Sequence, residues 1–314
     1  MSSAPIIQIT ADKGQRLADL DTGSTIQHLR QAGLVLLRGF NIKLADFEEF
    51  TSRLCDRFHD VGTRRSLVNP DSDGYTSEVH RKNFNLFAHS EGAYLPRPPP
   101  ELCFFNCVQS PHNKGGETML VDGVEFLQRL PASLRERFDQ QGIIYQAIWD
   151  EQRWQSEFSV DSQQELHTHL IDHPQCEYRF VGSEVQIRSH AVATRTSLGG
   201  SPAFANGLLA HLPQISHPRW QDLNVYSKPS NRVFFGDGKE IPQNVVNQLI
   251  DIQDEIALNH SWMTNDLLVL DNTRFMHGRL MTEGECERVI RSRFGRLRQE
   301  HRNSITSTSP SISR

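Results

Sequence analysis

Cysteine is scarce in this 314-residue chain, and the five present (Cys55, Cys103, Cys107, Cys176, Cys286) include no Cys-x-x-Cys pair. An odd, scattered set argues against a disulfide framework and against a thiolate zinc site, and fits a reducing compartment. No apolar run approaches the ~20 residues needed to span a bilayer. The opening Met1-Ser-Ser-Ala-Pro-Ile-Ile has no basic segment leading into an apolar core, so no secretory signal and a cytoplasmic location are expected. Positive charge is not in excess either: 33 Lys and Arg against 38 Asp and Glu leave a net −5. That balance disfavours a broad phosphate-binding surface and nucleic acid as the main partner. What is there, 37% apolar and 23% charged residues with a mean hydropathy of −0.51, describes a soluble globular protein. A chain of this length hides roughly 75% of its unfolded surface and needs no covalent staple.

Short apolar runs bounded by turn residues read as strands: 33–40, 102–108, 266–271 and 288–294. Helical spacing joins Leu44, Phe47, Phe50 and Leu54, and again Val245, Leu249, Ile252 and Ile256 behind Pro242. A further helix is predicted over 124–138. Residues 61–83 read as a long polar loop, and 150–190 carry no clear period. Strands scattered among helices, without regular βαβ alternation, disfavour a doubly wound parallel sheet. A mainly β, antiparallel core with helical decoration is expected.

The chemistry centres on Ala88-His-Ser-Glu91. On an extended segment, His89 and Glu91 would point to one side, ~7 Å apart along the backbone, and could converge on one ion. With a distant histidine they would make a two-His, one-carboxylate face that holds Fe(II) and leaves positions open. The pair alone decides nothing, since chance predicts about two His-x-acid matches in such a composition. Downstream, an apolar strand runs through a polar turn into His277, a common way to present a ligand. On the last strand, alternation puts Arg288, Ile290, Ser292 and Phe294 on one face and Val289, Arg291, Arg293 and Gly295 on the other. The first face has core-like content, so Arg288 would point inward, where a guanidinium requires an anion. A bound carboxylate and an internal Asp or Glu both satisfy that requirement.

Together, His89-x-Glu91, Gly115-Gly-Glu-Thr118, Trp262 to Asp266, Asp271-Asn272, His277-Gly-Arg279 and Arg288 resemble the TauD/TfdA-type Fe(II)/2-oxoglutarate-dependent oxygenases. The likeness is strongest to the SyrP-like and clavaminate synthase-like branch and runs from about Gly33 to Phe294. It implies a double-stranded β-helix, or jelly-roll, core. It also implies His89, Glu91 and His277 as iron ligands, and Thr118 with Arg288 (or, with the strand faced the other way, Arg291) gripping 2-oxoglutarate. Fe(II), 2-oxoglutarate and O2 would then be the cofactor and co-substrates. The expected reaction is hydroxylation of an unactivated C–H of an amino-acid-like or carrier-bound small molecule in natural-product metabolism, with succinate and CO2 released. Desaturation or epoxidation are variants of the same chemistry. Halogenating relatives replace the carboxylate ligand with a small residue, so Glu91 argues against halogenation. Asn265 stands where the family usually has glycine, and asparagine tolerates left-handed geometry there.

The implied organisation is one oxygenase domain over 1–302, with inserted lid segments at about 61–88 and 150–210 and a disordered tail at 303–314. Arg279 is the better substrate-side candidate; Asn85, four residues before His89, reads equally as a contact to substrate or co-substrate and as turn chemistry. Arg81-Lys82 and Arg97 could attract an acidic partner, although such charges usually sit on a solvated face. His167, His169 and His173 read as a surface helix or linker, and 235–239 as a turn. Two other classes stay open: a cupin-like hydrolase or isomerase using a divalent ion as Lewis acid, and a binding protein on the same scaffold.

Overall fold

The computed structural model describes residues 6–59, 66–67, 74–79, 83–171, 173–226, 229–285 and 287–303. Two facing sheets form the core. The larger has the order Ile7–Thr10, Leu34–Arg38, Leu267–Asp271, Leu102–Gln109, Val289–Leu297, Ser77–Glu78, Ser66–Leu67, with Cys55–Phe58 also pairing on Val289–Leu297. The smaller runs Leu258–His260, Thr118–Asp122, Phe275–Arg279, Leu86–His89. Pairing in both is antiparallel except between the first two strands of the larger sheet.

The unbroken apolar runs at 34–37 and 267–270 follow from burial on both faces. Leu34 and Leu36 lie opposite Leu270 and Leu268, and these four face inward with Cys103, Phe105, Ile290 and Phe294. Val35, Leu37, Phe104 and Val269 face outward and are covered by Ile26, Leu29, Phe47 and Phe50 of helices Thr22–Ala32 and Leu44–Leu54. Behind the smaller sheet, Phe126, Phe138, Leu249 and Ile250 cover Phe87, Met119 and Val121.

The single helix expected over 124–138 is two, Gly123–Arg129 and Ala132–Gln141. Pro131, which cannot sit in a helix interior, divides them. The loop expected over 61–83 contains the short strands Ser66–Leu67 and Ser77–Glu78, while Arg81-Lys82 lies outside the described residues. The segment 150–210 folds into helices Glu151–Phe158 and Gln163–Ile171 and strands Cys176–Val181 and Glu184–Ala191. Those two strands join Ile143–Trp149 and Arg232–Phe235 in a sheet of their own. A helix, Gln299–Asn303, ends the described chain; it takes in Asn303, the first residue of the tail expected at 303–314, and the rest of that tail lies outside the described residues. Among the described residues no helix is long and apolar enough to cross a membrane.

Candidate metal centre

The two strands that carry the histidines are neighbours in the smaller sheet, with His89 directly opposite His277. Their rings lie 4.6 Å apart between centroids, and His277 Nε2 is 3.8 Å from Glu91 Oε2. One ligating atom from each of His89, Glu91 and His277 falls within 4.8 Å of the other two, and among the described residues this is the one such group. Two neutral imidazoles and one carboxylate are the donor set that suits Fe(II) with open positions. His89 Nδ1 lies 3.1 Å from Phe87 O. A carbonyl only accepts, so Nδ1 carries the proton and Nε2 is left as the ring's ligating atom, an arrangement typical of metal-binding histidines.

The His-x-Glu segment is not extended throughout, contrary to expectation. His89 ends its strand, and Glu91 lies in a turn, so the carboxylate swings towards the imidazoles instead of standing a full strand repeat away. Asn272 pins that turn. Its Oδ1 accepts from Glu91 N at 2.8 Å, and its Nδ2 donates to Glu91 O at 3.1 Å and Pro100 O at 2.8 Å. The buried Asn272 belongs to the turn that leads into the His277 strand, so one side chain ties the two ligand segments together. Pairing between the ligand strands also slips by one residue: His277 meets His89, but Arg279 meets Leu86. Such a bulge re-aims side chains, here turning both Leu86 and His89 into one cavity. It brings backbone so close that a Cβ on Gly278 would lie 2.5 Å from Leu86 O and 2.9 Å from Ala88 N. This explains the glycine between His277 and Arg279.

The cavity lies between the sheets. The triad shares it with Thr118, Arg279, Arg288 and an apolar wall of Val79, Phe84, Leu86, Phe105, Ile290 and Phe294. Thr118 Oγ1 accepts from Trp262 Nε1 at 3.0 Å, which leaves its O–H as a donor. Arg288 immediately precedes the last strand, is buried, and donates from Nη1 to Gly116 O. Gly115, one residue earlier, packs so tightly that a Cβ would sit 2.2 Å from Met281 O. Arg291 is not among the cavity's lining residues; burial lowers its pKa while Glu48 and Glu78 act to raise it. The inward face of the last strand is therefore the one with Arg288. Asn85 does not line the cavity either. Its Oδ1 accepts from Met281 N and its Nδ2 donates to Asn224 O, at 3.0 and 3.3 Å, so it fastens the wall.

Asp266 closes the far end of the motif. Burial pushes its carboxyl up, but a two-point ion pair from Arg38, at 2.7 Å for each contact, together with His260 and Met263 N outweighs it and holds the pKa down to about 2. Asn265 adopts φ 72°, the left-handed geometry expected of it. His167 bonds Tyr178 Oη at 2.5 Å on a surface helix, and 235–239 is a turn closed by Phe235 N to Lys239 O at 3.0 Å. Sequence reasoning named Trp262 and Asn272 within the motif but gave them no task. Their roles depend on partners far away in the chain, and only the fold brings these together.

The family model for "Taurine catabolism dioxygenase TauD, TfdA family" matches residues 4–293. The chain belongs to that family. It is accordingly an Fe(II)- and 2-oxoglutarate-dependent oxygenase with the double-stranded β-helix core expected above. It is similar to the dapdiamide synthesis protein DdaC of Enterobacter agglomerans, at 27% identity over 82% of this chain and 80% of that protein. It is also similar to a clavaminate synthase-like protein of Arabidopsis thaliana, at 24% identity over 80% and 78%. In structure it resembles PvcB of Pseudomonas aeruginosa, with a TM-score of 0.55 and 18% identity over 93% of this chain and 86% of that one. PvcB is described as an Fe, α-ketoglutarate-dependent oxygenase from an isonitrile synthetic pathway.

Proposed function

We propose that His89, Glu91 and His277 hold the iron, that Thr118 and Arg288 hold the distal carboxylate of 2-oxoglutarate, and that the enzyme hydroxylates an unactivated C–H of a small amino-acid-like substrate in natural-product metabolism. The observation that carries this reading is one cavity uniting the three ligating side chains with a buried threonine and arginine. DdaC and PvcB, both named for roles in small-molecule synthesis, support the metabolic setting.

Iron with 2-oxoglutarate and O2 supplies the oxidative decarboxylation that yields succinate, CO2 and the oxidising power for C–H cleavage. The chain's residues do the rest. Phe87 O fixes the tautomer of His89, Asn272 holds the Glu91 turn, and Trp262 orients the Thr118 hydroxyl. Phe105, Ile290 and Phe294 keep water from the reacting centre. Glu91 fills the position that a halide would need.

Anaerobic Fe(II) titration of the wild type, His89→Ala and Glu91→Ala, followed by succinate measurement in air, tests the assignment. Stoichiometric iron in the wild type, loss of tight iron in both variants with unchanged circular dichroism, and O2-dependent succinate are expected. Tight iron retained in both variants would overturn the ligand set, and bound iron with no succinate would favour Lewis-acid chemistry.

A further inference from the structure

The loop 93–99, which follows Glu91 in the chain, is one wall of a second cleft of about 320 Å³. Residues 173–175, the end of the strand Glu184–Ala191 and Arg195 complete it, and it shares no described lining residue with the metal cavity. Its charge is one-sided. Arg97, His173, His190 and Arg195 line it, and no described lining residue is a carboxylate, in a chain whose 38 acids outnumber its 33 Lys and Arg. Glu177 comes within 3.7 Å of His190 Nε2, but its side chain is 69% exposed and does not line the cleft.

Both guanidiniums have donors to spare. Arg195 donates from Nε to Ala205 O at 3.1 Å. Burial lowers its pKa, and what opposes the shift is the Tyr145 hydroxyl rather than an acid. Arg97 Nε is shut away from solvent without a hydrogen-bond partner, and a buried donor in that state calls for an acceptor that the chain does not supply. Among the described residues neither arginine forms an ion pair.

The rest of the wall shapes what can bind. Pro96, Pro98, Pro99 and Pro174 line it; they carry no N–H, so an anion here is held by side chains. Their fixed backbone angles also limit the ordering that binding would require. The set repels a metal cation. A carboxylate is satisfied by one arginine fork, whereas a phosphate group has enough free oxygens to accept from two guanidiniums and an imidazole together.

We infer that this cleft is a binding site for a phosphate ester, gripped by Arg97 and Arg195 with His173 and His190 beside them, and separate from the metal cavity. Two sources share that chemistry: a free phosphorylated small molecule, which is a monoester, and the phosphodiester of a carrier protein's prosthetic arm.

The test is anaerobic calorimetric titration of the full chain, saturated with Fe(II) and 2-oxoglutarate, with methyl phosphate, dimethyl phosphate and acetate. At least one phosphate should bind saturably and about tenfold or more tightly than acetate. Arg97→Gln and Arg195→Gln should each weaken that phosphate at least about tenfold, as expected for a lost charge-assisted contact, with unchanged circular dichroism. Arg97→Lys, which keeps the charge and loses the fork, should fall between wild type and Arg97→Gln. Arg288→Gln should leave phosphate affinity within about twofold of wild type. Tighter methyl phosphate indicates a free monoester, and equal or tighter dimethyl phosphate a carrier arm; either supports the site. No saturable phosphate binding below about 10 mM, acetate bound as tightly, or phosphate affinity that survives both Gln variants would overturn the inference. So would phosphate binding lost in Arg288→Gln, which would put the anion in the metal cavity.

Discussion

Replacing Asn272 with alanine should weaken iron binding without unfolding the protein. The side chain makes three hydrogen bonds to the backbone of the turn that bears Glu91, and it is buried. Each such bond contributes about 1 kcal/mol net, so the set contributes about 3 kcal/mol, and stranding the half-buried Glu91 and buried Pro100 backbone groups adds to the loss. Domains of this kind have about 5–15 kcal/mol in reserve, so the fold should persist with a lower unfolding midpoint. Freed from its anchor, the Glu91 carboxylate would sample positions away from the imidazoles, and supporting contacts of this type are worth roughly 10–100-fold in metal affinity. The assay is anaerobic competition for Fe(II) against a chromogenic chelator, with thermal unfolding of the metal-free protein in parallel. Leu249→Ala serves as the control: it truncates a fully buried side chain in the core behind the smaller sheet at a similar cost of about 3 kcal/mol. Its iron affinity should stay within about twofold of wild type. If Asn272→Ala and Leu249→Ala lose stability alike and bind iron alike, Asn272 is mere scaffold and the reasoning fails.

Other outcomes can be checked in the same preparations. Arg288→Gln should weaken 2-oxoglutarate roughly 50-fold, equivalent to about 2–3 kcal/mol for a lost charge-assisted pair, and leave iron nearly unchanged; Arg291→Gln should do neither, as calorimetry would show. Gly278→Ala forces a Cβ against backbone atoms at 2.5 and 2.9 Å, so a loss of about 1–3 kcal/mol in denaturant melts and reduced iron stoichiometry are expected. Burial pushes the Asp271 carboxyl up to about 6 from the ordinary 3.8, against bonds from Thr273 and Leu198 that pull it down. Because the folded-state value is raised, the stabilisation is full below about pH 3.8 and lost as pH climbs through about 6. The wild type should therefore gain up to about 3 kcal/mol relative to Asp271→Asn on acidification across that window, as read by urea midpoints.

Much of the fold was legible because local pattern and tertiary burial agree. The helix with Phe47, Phe50 and Leu54 and the strands at 34–38, 102–109 and 267–271 carry their periods openly. The inward facing of Arg288 followed from alternation alone. Three things were not legible. The break at Pro131 was, in hindsight, written in the chain and overridden by the apolar period around it. Within 150–190, the strands Cys176–Val181 and Glu184–Ala191 do alternate, but the inward positions of the first are only half-buried and its apolar residues are few, so the period does not stand out from the polar, histidine-rich stretch before it. The placement of Glu91 was hidden in principle, since a turn held by a side chain far along the chain leaves no mark on His-Ser-Glu itself. Asn85, weighed equally as a substrate contact and as turn chemistry, spends its amide on main-chain groups of two other segments.

The ladder that sets His89 against His277 joins opposite halves of the polypeptide. On the ligand set proposed above, a nascent chain that has emerged only past the strand Leu86–His89 and the turn after it would carry two of the three donors, so metal capture would wait for the strand Phe275–Arg279. Loop closure over that span is an entropic burden borne by the pairing itself. An ion that binds the finished structure and not the unfolded chain pulls the equilibrium towards completion in proportion to its free concentration. Iron supply in the cell would thereby set how long this enzyme survives as well as how fast it turns over.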